Sequence, residues 1–158
     1  MRIASCALEG RSGHKAGRWL LSVLYRHETG EILPEILKTE RGKPYFKDSP
    51  YHFSITHTKK HAFCALSQKN IGIDAEELDR RINLRLAPKI LSPGEYAQYE
   101  AAEDKKKTLL TFWVLKEAQA KLTGEGIMGY PNHTDFKLPH EAVREADGCL
   151  LAILEEKD

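Results

Sequence analysis

A mostly apolar run over residues 2–8, bounded by Glu9-Gly10, reads as a short opening strand, and a Gly-, Ser- and Lys-containing stretch over 10–17 then reads as a turn. Residues 18–25 carry helical spacing, and that helix ends before Thr29-Gly30. Pro34 opens a short helical or extended piece that leads to a turn at Gly42-Lys43-Pro44. Residues 51–58 and 61–67 read as paired strands joined by Lys59-Lys60, and residues 71–76 as a further strand after Gln68-Lys69-Asn70. Beyond Leu78 the period becomes helical. An amphipathic helix interrupted by Pro88 is expected over 80–91, and Ser92-Pro93-Gly94-Glu95 reads as a helix start with Ser92 as N-cap and Glu95 three residues on. That helical stretch covers 96–102. Asp104 caps a long helix over 105–122, and Thr123-Gly124, with Gly126, reads as its termination. Residues 136–138 and 149–155 are the closing strands, with Asp147-Gly148 as the turn before the last. The fold class is α+β, without a repeat in residue identities.

Two of these elements concentrate charge in a way that points to chemistry. On the strand Ile71-Gly72-Ile73-Asp74-Ala75-Glu76, alternation puts Asp74 and Glu76 on one face. On the helix Phe112-Trp113-Val114-Leu115-Lys116-Glu117-Ala118-Gln119-Ala120-Lys121, Trp113, Glu117 and Lys121 fall along one stripe. If the strand end and the helix pack together, three carboxylates converge on one point, which is costly unless a divalent cation or protons neutralise them. Oxygen-only donors favour Mg²⁺ or Mn²⁺ over zinc. Taken alone, Asp74 and Glu76 read as a strand end in solvent, and Glu117 with Lys121 as an ordinary i,i+4 salt bridge.

Composition narrows the class of partner. With 158 residues, 41% hydrophobic and 30% charged, the chain has enough apolar material for one well-buried domain or two small halves sharing an interface. Lys plus Arg number 24 against 23 Asp plus Glu, and aromatics are 8%, so a basic, base-stacking nucleic-acid surface is a poor reading. Cys6, Cys64 and Cys149 have no metal-type spacing, and neither do His52, His61, His133 and His140, which are read as structural. A reducing cytoplasm fits the unpaired cysteines. No signal pattern and no apolar run of the roughly 20 residues a membrane helix needs is present, so the protein is expected to be soluble and intracellular.

At the strand and helix just described the chain resembles the 4′-phosphopantetheinyl transferases, whose pattern pairs (V/I)-G-(I/V)-D-x-E with a later W-x-x-K-E-A-x-x-K. Asp74 and Glu117 stand 43 positions apart, an interval of the kind the family shows. Arg41-Gly42-Lys43-Pro44-Tyr45-Phe46 resembles the family's G-K-P element, and Phe53-Ser54-Ile55-Thr56-His57-Thr58 its F-N-x-S-H-S element. The resemblance runs from roughly position 18 to 125. The departures are Ser54 for Asn, Thr for Ser at positions 56 and 58, and Leu115 where Ser or Thr is common.

The resemblance implies two similar α+β halves about a pseudo-twofold axis: residues 1–70 as the N-terminal half, and residues 71–158 as the C-terminal half carrying the metal site, together one compact unit and a monomer. It implies transfer of 4′-phosphopantetheine from coenzyme A to a serine of an apo acyl or peptidyl carrier protein, with release of 3′,5′-ADP. Asp74, Glu76 and Glu117 would hold Mg²⁺. Lys116 and Lys121 would meet the pyrophosphate from different sides, and Glu117, or a metal-bound water beside it, would take the serine proton. Lys43 and Pro44 would lie near the adenine, His57 and Thr56 at the nucleotide phosphates, and Lys15 and Arg18 near the 3′-phosphate. Trp113 is read as core packing. An acidic carrier directs attention to Arg80, Arg81, Arg85 and Lys89, the last three at helical spacing, as a basic docking strip; their plain reading is a solvated helix face. Lys105-Lys106-Lys107 is read as solubility charge. The competing function is a non-catalytic coenzyme A or nucleotide-binding module of the same fold.

Overall fold

The computed structural model describes residues 1–125 and 134–158; Gly126 and His133 lie outside the described residues. The chain runs β1 (Arg2–Ala7), α1 (Gly13–Thr29), β2 (Ile36–Lys38), β3 (Pro44–Phe46), β4 (His52–His57), β5 (His61–Ser67) and β6 (Ile71–Glu77). A 3₁₀ turn (Leu84–Leu86) and a single helical turn α2 (Ala87–Ile90) lead to α3 (Pro93–Ala101) and α4 (Lys105–Thr123), and β7 (Val143–Ala146) and β8 (Cys149–Glu155) close it. This is the expected α+β fold. No described helix is long and apolar enough to cross a membrane.

The strands form a three-stranded antiparallel sheet ordered β1-β5-β4, a hairpin of β2 and β3, and a second three-stranded antiparallel sheet ordered β6-β8-β7. In both larger sheets the third strand in sequence lies between the first and second, and a long helix precedes the second strand. Alternation along β5 divides its side chains between two cores. Ala62, Cys64 and Leu66 pack with Leu20, Leu21 and Leu24 of α1. Phe63 and Ala65 pack with Ile71, Ile73 and Ala75 of β6 and Leu151 and Ile153 of β8. The opposite face of the second sheet, through Leu150 and Ala152, takes Leu110, Val114, Leu115 and Ala118 of α4. The resulting layers are α1, first sheet, second sheet, α4.

Three expectations are corrected. The stretch 10–17 is only partly a turn: α1 begins at Gly13, with Ser12 as N-cap accepting from the Lys15 amide. Its glycines mark close approach. A Cβ on Gly13 would come 2.9 Å from His57 Cδ2, and one on Gly17 would collide with Ile55 Cγ2. The helix expected over 80–91 does not form, because the Pro88 ring excludes an α-helical carbonyl at residue 84. Asn83 instead accepts from the Arg85 amide and starts a 3₁₀ turn, so Arg81, Arg85 and Lys89 do not share one helical face. Residues 136–138 are not a strand: the Phe136 amide donates to Glu95 Oε2 at 3.0 Å and the Leu138 amide to Gln98 Oε1 at 2.8 Å, so α3 side chains take the donors a ladder would use. The strand that pairs with β8 there is β7.

The capping predictions hold. Ser92 and Glu95 form a reciprocal capping box, Asp104 accepts from the Lys107 amide at 3.0 Å, and α4 ends on Gly124 with φ of 76°. Asp147 (φ 53°) and Gly148 (φ 72°) make the final hairpin turn.

Candidate active site

On β6, Ile73 and Ala75 enter the inter-sheet core, so Gly72, Asp74 and Glu76 face α4. Gly72 makes the approach possible. A Cβ there would lie 2.6 Å from the Leu122 amide nitrogen and collide with the Ala118 carbonyl oxygen, both backbone of α4. The glycine of this strand motif is therefore a packing requirement that sets how near Glu117 and Lys121 come to Asp74.

Asp74 is 6% exposed. Its Oδ1 accepts from Lys121 Nζ at 3.0 Å and from Thr56 Oγ1 at 3.2 Å, whereas its buried Oδ2 has no donor. Burial pushes the Asp74 carboxyl above the usual carboxylate range, against the pull of Lys121 and Thr56. Glu76 is raised by burial, opposed first by Arg80, and raised further by Asp74, with Trp113 and Lys121 opposing. Glu117 is raised by burial and then by Asp74, with Glu76 adding to the effect and Lys121 and Arg80 opposing it. The three carboxylates thus sense one another, but their oxygens do not gather within 4.8 Å as a ready-made cage. Lys121 and Arg80 are paired to Asp74 and Glu76 within the group.

A cleft opens beside these carboxylates, its walls including Gly42, Lys43, Pro44, Ser54, Glu117 and Lys121. Three separated sequence motifs meet there. Lys121 also donates to the Ile73 carbonyl at 3.0 Å, which fixes its stem along the wall. The Lys43 ammonium is committed to Asn70 Oδ1 (2.5 Å) and the Leu122 carbonyl (2.6 Å), where it meets the negative end of the α4 dipole. Its stem, not its charge, is offered to the cleft. Ser54 Oγ accepts from the Ile73 amide at 3.0 Å and ties β4 to β6. Leu115 is fully buried against the second sheet, so a hydroxyl there would have no solvent to face.

Not every expected residue arrives at the site. Lys116 is 2% exposed and turned toward α3, where Nζ lies 2.5 Å from Glu95 Oε1 and donates to Thr134 Oγ1 at 2.6 Å. The 100° step from Glu117 to its neighbour carries Lys116 off the cleft altogether, which corrects its expected place at the pyrophosphate. Thr56 is buried and spends its hydroxyl on Asp74 instead of reaching a phosphate. His57 is exposed at the start of α1, its ring over Gly13. Lys15 and Arg18 are exposed on the first turns of that helix and outside the walls of the cleft.

Sequence reasoning missed the roles of two residues, Arg80 and Glu95. Arg80 pairs with Glu76 and stands 6.0 Å from the Trp113 ring centroid, while Trp113 itself packs against a core cluster, as expected. No periodicity links Arg80 to Glu76, since the chain between them is not helical. Glu95 was legible as a cap, but a capping glutamate normally sits at the surface, and nothing in the sequence announces that this one is 0% exposed beneath Lys116.

Known sequences similar to this chain point to one family. The sequence pattern of the 4′-phosphopantetheinyl transferase superfamily matches residues 70–152, from the start of β6 into β8. Among curated proteins the chain is similar to the 4′-phosphopantetheinyl transferase psf-1 of Bacillus pumilus, with 37% identity over 122 residues, 71% of this chain and 52% of that protein. It is similar to the 4′-phosphopantetheinyl transferase HetI of Nostoc sp., 34% identical over 130 residues, 75% of this chain and 54% of that protein. It is also similar to the 4′-phosphopantetheinyl transferase AcpT of Escherichia coli, 32% identical over 117 residues, 71% of this chain and 60% of that protein. The matched region spans between half and three-fifths of these relatives' length. By the match over β6, α4 and the strands that follow, the chain belongs to the 4′-phosphopantetheinyl transferase superfamily.

Proposed function

We propose that this protein transfers 4′-phosphopantetheine from coenzyme A to a serine of an apo acyl or peptidyl carrier protein and releases 3′,5′-ADP, with Mg²⁺ held by Asp74, Glu76 and Glu117. The observation that carries this reading is the buried, donorless Oδ2 of Asp74 beside Glu117, at a cleft shared by the Gly42-Lys43-Pro44 turn and α4. An oxygen-only donor set of mutually repelling carboxylates fits a hard divalent cation, which supplies charge neutralisation of the pyrophosphate when bound.

The chain's own residues then have separable tasks. The Gly42-Lys43-Pro44 turn and the Lys43 stem form the wall against which the nucleotide is held. Lys121 presents an ammonium whose position is fixed by Asp74 and Ile73, and it offsets the charge that develops on the departing phosphate. Glu117, at the wall of the cleft, is the group assigned to accept the proton of the carrier serine. The serine oxygen forms its bond to the phosphorus next to the pantetheine arm as the phosphoanhydride bond to 3′,5′-ADP breaks. Lys116 acts through packing, fixing α4 to α3. His57, with Lys15 and Arg18 on the adjoining helix start, is assigned to the 3′-phosphate side.

An acidic carrier is proposed to dock on the segment from residue 81 through α2, where Arg81, Arg85 and Lys89 are exposed around Leu84 (41% exposed) and Leu86 (40% exposed). We read residues 1–70 and 71–158 as two similar halves of a cytoplasmic monomer. The test is intact-mass measurement of an apo carrier protein incubated with this chain, coenzyme A and Mg²⁺. A gain of one phosphopantetheine, absent with EDTA, is expected. No gain across several acyl and peptidyl carriers, despite bound coenzyme A, would assign the fold to binding alone.

A further inference from the structure

A second cluster of ligand-type side chains lies where the turn after β4 meets the last hairpin. His61 opens β5, Glu77 ends β6 and Cys149 opens β8, so three strands from two sheets contribute one group each. One ligand atom from each lies within 4.8 Å of the other two, the one such set among the described residues. His61 Nδ1 is 3.8 Å from Glu77 Oε1 and 3.9 Å from Cys149 Sγ. Bond lengths of about 2.0–2.3 Å from zinc to nitrogen, oxygen and sulfur in a tetrahedron imply ligand-to-ligand edges of roughly 3.4–3.6 Å. On the two edges that meet at His61 the side chains therefore need to close by only a few tenths of an ångström, and Glu77 and Cys149 lie within 4.8 Å of each other.

We propose that His61, Glu77 and Cys149 form a transition-metal site, suited to Zn²⁺, that joins the two sheets and is separate from the carboxylates of the cleft. The donors are one imidazole nitrogen, one carboxylate oxygen and one thiolate, a set that favours zinc over magnesium, opposite to the oxygen-only set at Asp74. Three protein ligands leave a fourth position, and the partial exposure of His61 (21%) and Glu77 (14%) provides a path for an ion to enter.

The surrounding contacts hold the ligands as an outer shell would. Thr58 Oγ1 donates to Glu77 Oε1 at 2.6 Å and accepts from the His61 amide at 3.0 Å, so one hydroxyl fixes both the carboxylate and the backbone of the histidine. Glu77 and Cys149 are direct partners across the β6–β8 ladder, which sets their spacing through backbone register. On binding, the Cys149 sulfur forms its bond to the cation as the thiol proton leaves to solvent, with no change of oxidation state.

The experiment is a Co²⁺ titration of the metal-stripped, reduced full chain, read by the thiolate-to-cobalt charge-transfer band and followed by displacement with Zn²⁺ in millimolar Mg²⁺. One equivalent of cobalt should give the band, and zinc, but not Mg²⁺, should abolish it. Cys149→Ser should lose the band, and His61→Gln should weaken zinc binding by at least 100-fold. Thr58→Val should weaken it by about 10–100-fold, the usual cost of losing an outer-shell contact. Asp74→Asn, at the cleft, should change nothing in this assay while removing transfer, so the two sites fail independently. Absence of the band in the folded protein would overturn the proposal. So would its persistence in folded Cys149→Ser, which would move the donor to Cys6 or Cys64, or an unchanged zinc affinity in His61→Gln. Should Cys149→Ser not fold, His61→Gln, at a partly exposed position, decides alone.

Discussion

Adding one methyl group at Gly72 should displace the catalytic helix. The Cβ of Gly72→Ala would sit 2.6 Å from the Leu122 amide nitrogen and closer still to the Ala118 carbonyl oxygen. Comfortable contact needs about 3.5 Å, so α4 must retreat by roughly 1 Å, and because both obstacles are backbone no rotamer change relieves them. Overpacking of this kind costs about 1–3 kcal/mol, whereas replacing glycine by alanine recovers about 0.4–1 kcal/mol through the unfolded chain, so the clash prevails. The difference, up to about 2.6 kcal/mol, should lower the melting temperature by up to roughly 10 °C at about 2–4 °C per kcal/mol for a chain of this size. The larger effect is on chemistry. Glu117 and Lys121 ride on the displaced helix while Asp74 stays on β6, and a misplacement of about 1 Å costs on the order of 100-fold in rate. Circular dichroism melting together with intact-mass transfer kinetics, both in saturating Mg²⁺, measures the two effects. A melting temperature that rises, with transfer intact, would refute the claim that this glycine sets the spacing of the site.

Asp74→Ala and Glu117→Ala should each reduce transfer by at least about 100-fold with the circular dichroism spectrum preserved; near-normal rates in excess Mg²⁺ would remove these residues from the cation site. Lys116→Ala should destabilise by about 3–5 kcal/mol in urea titration, since it strands the buried Glu95 carboxylate, and Lys116→Met with Glu95→Leu should recover much of that loss. Burial and mutual repulsion raise the folded-state carboxyls of Asp74, Glu76 and Glu117 above their unfolded values. Their contribution to stability is therefore fully present below the unfolded value of about 4–4.5 and is lost as pH rises through the raised values. In EDTA the melting temperature should climb as pH falls from neutrality toward that range, and Mg²⁺ should flatten the slope; a slope unaltered by Mg²⁺ would argue against carboxylate ligation. Arg81→Glu with Arg85→Glu should raise KM for the carrier at low salt and leave coenzyme A binding unchanged, which steady-state kinetics with each substrate varied in turn would check.

What the sequence discloses is local, and what it conceals depends on the third dimension. Alternation along β6 puts Asp74 and Glu76 on one face, and spacing along α4 stacks Glu117 over Lys121, because strand and helix periods are properties of the backbone alone. The caps at Ser92 and Asp104 and the stop at Gly124 are legible for the same reason. Lys116 went astray because one step along a helix changes the face, and only the packing of α3 decides whether that face is solvent, cleft or core. Residues 136–138 have a strand's composition, yet Glu95 and Gln98 reach their amides first. The group of His61, Glu77 and Cys149 has no sequence spacing at all, since its members are brought together by the register of three strands.

The division of β5 between two cores bears on how the protein unfolds. Ala62, Cys64 and Leu66 belong to the α1 core and Phe63 and Ala65 to the inter-sheet core, so neither can melt while the other keeps the strand in place. A fragment ending at residue 70 would leave Phe63 and Ala65 facing water, and one beginning at residue 71 would leave Ile71, Ile73 and Leu151 without their lid. Residues 1–70 and 71–158 therefore share a single cooperative transition, and a heating curve of the full chain should show one sigmoid, not two.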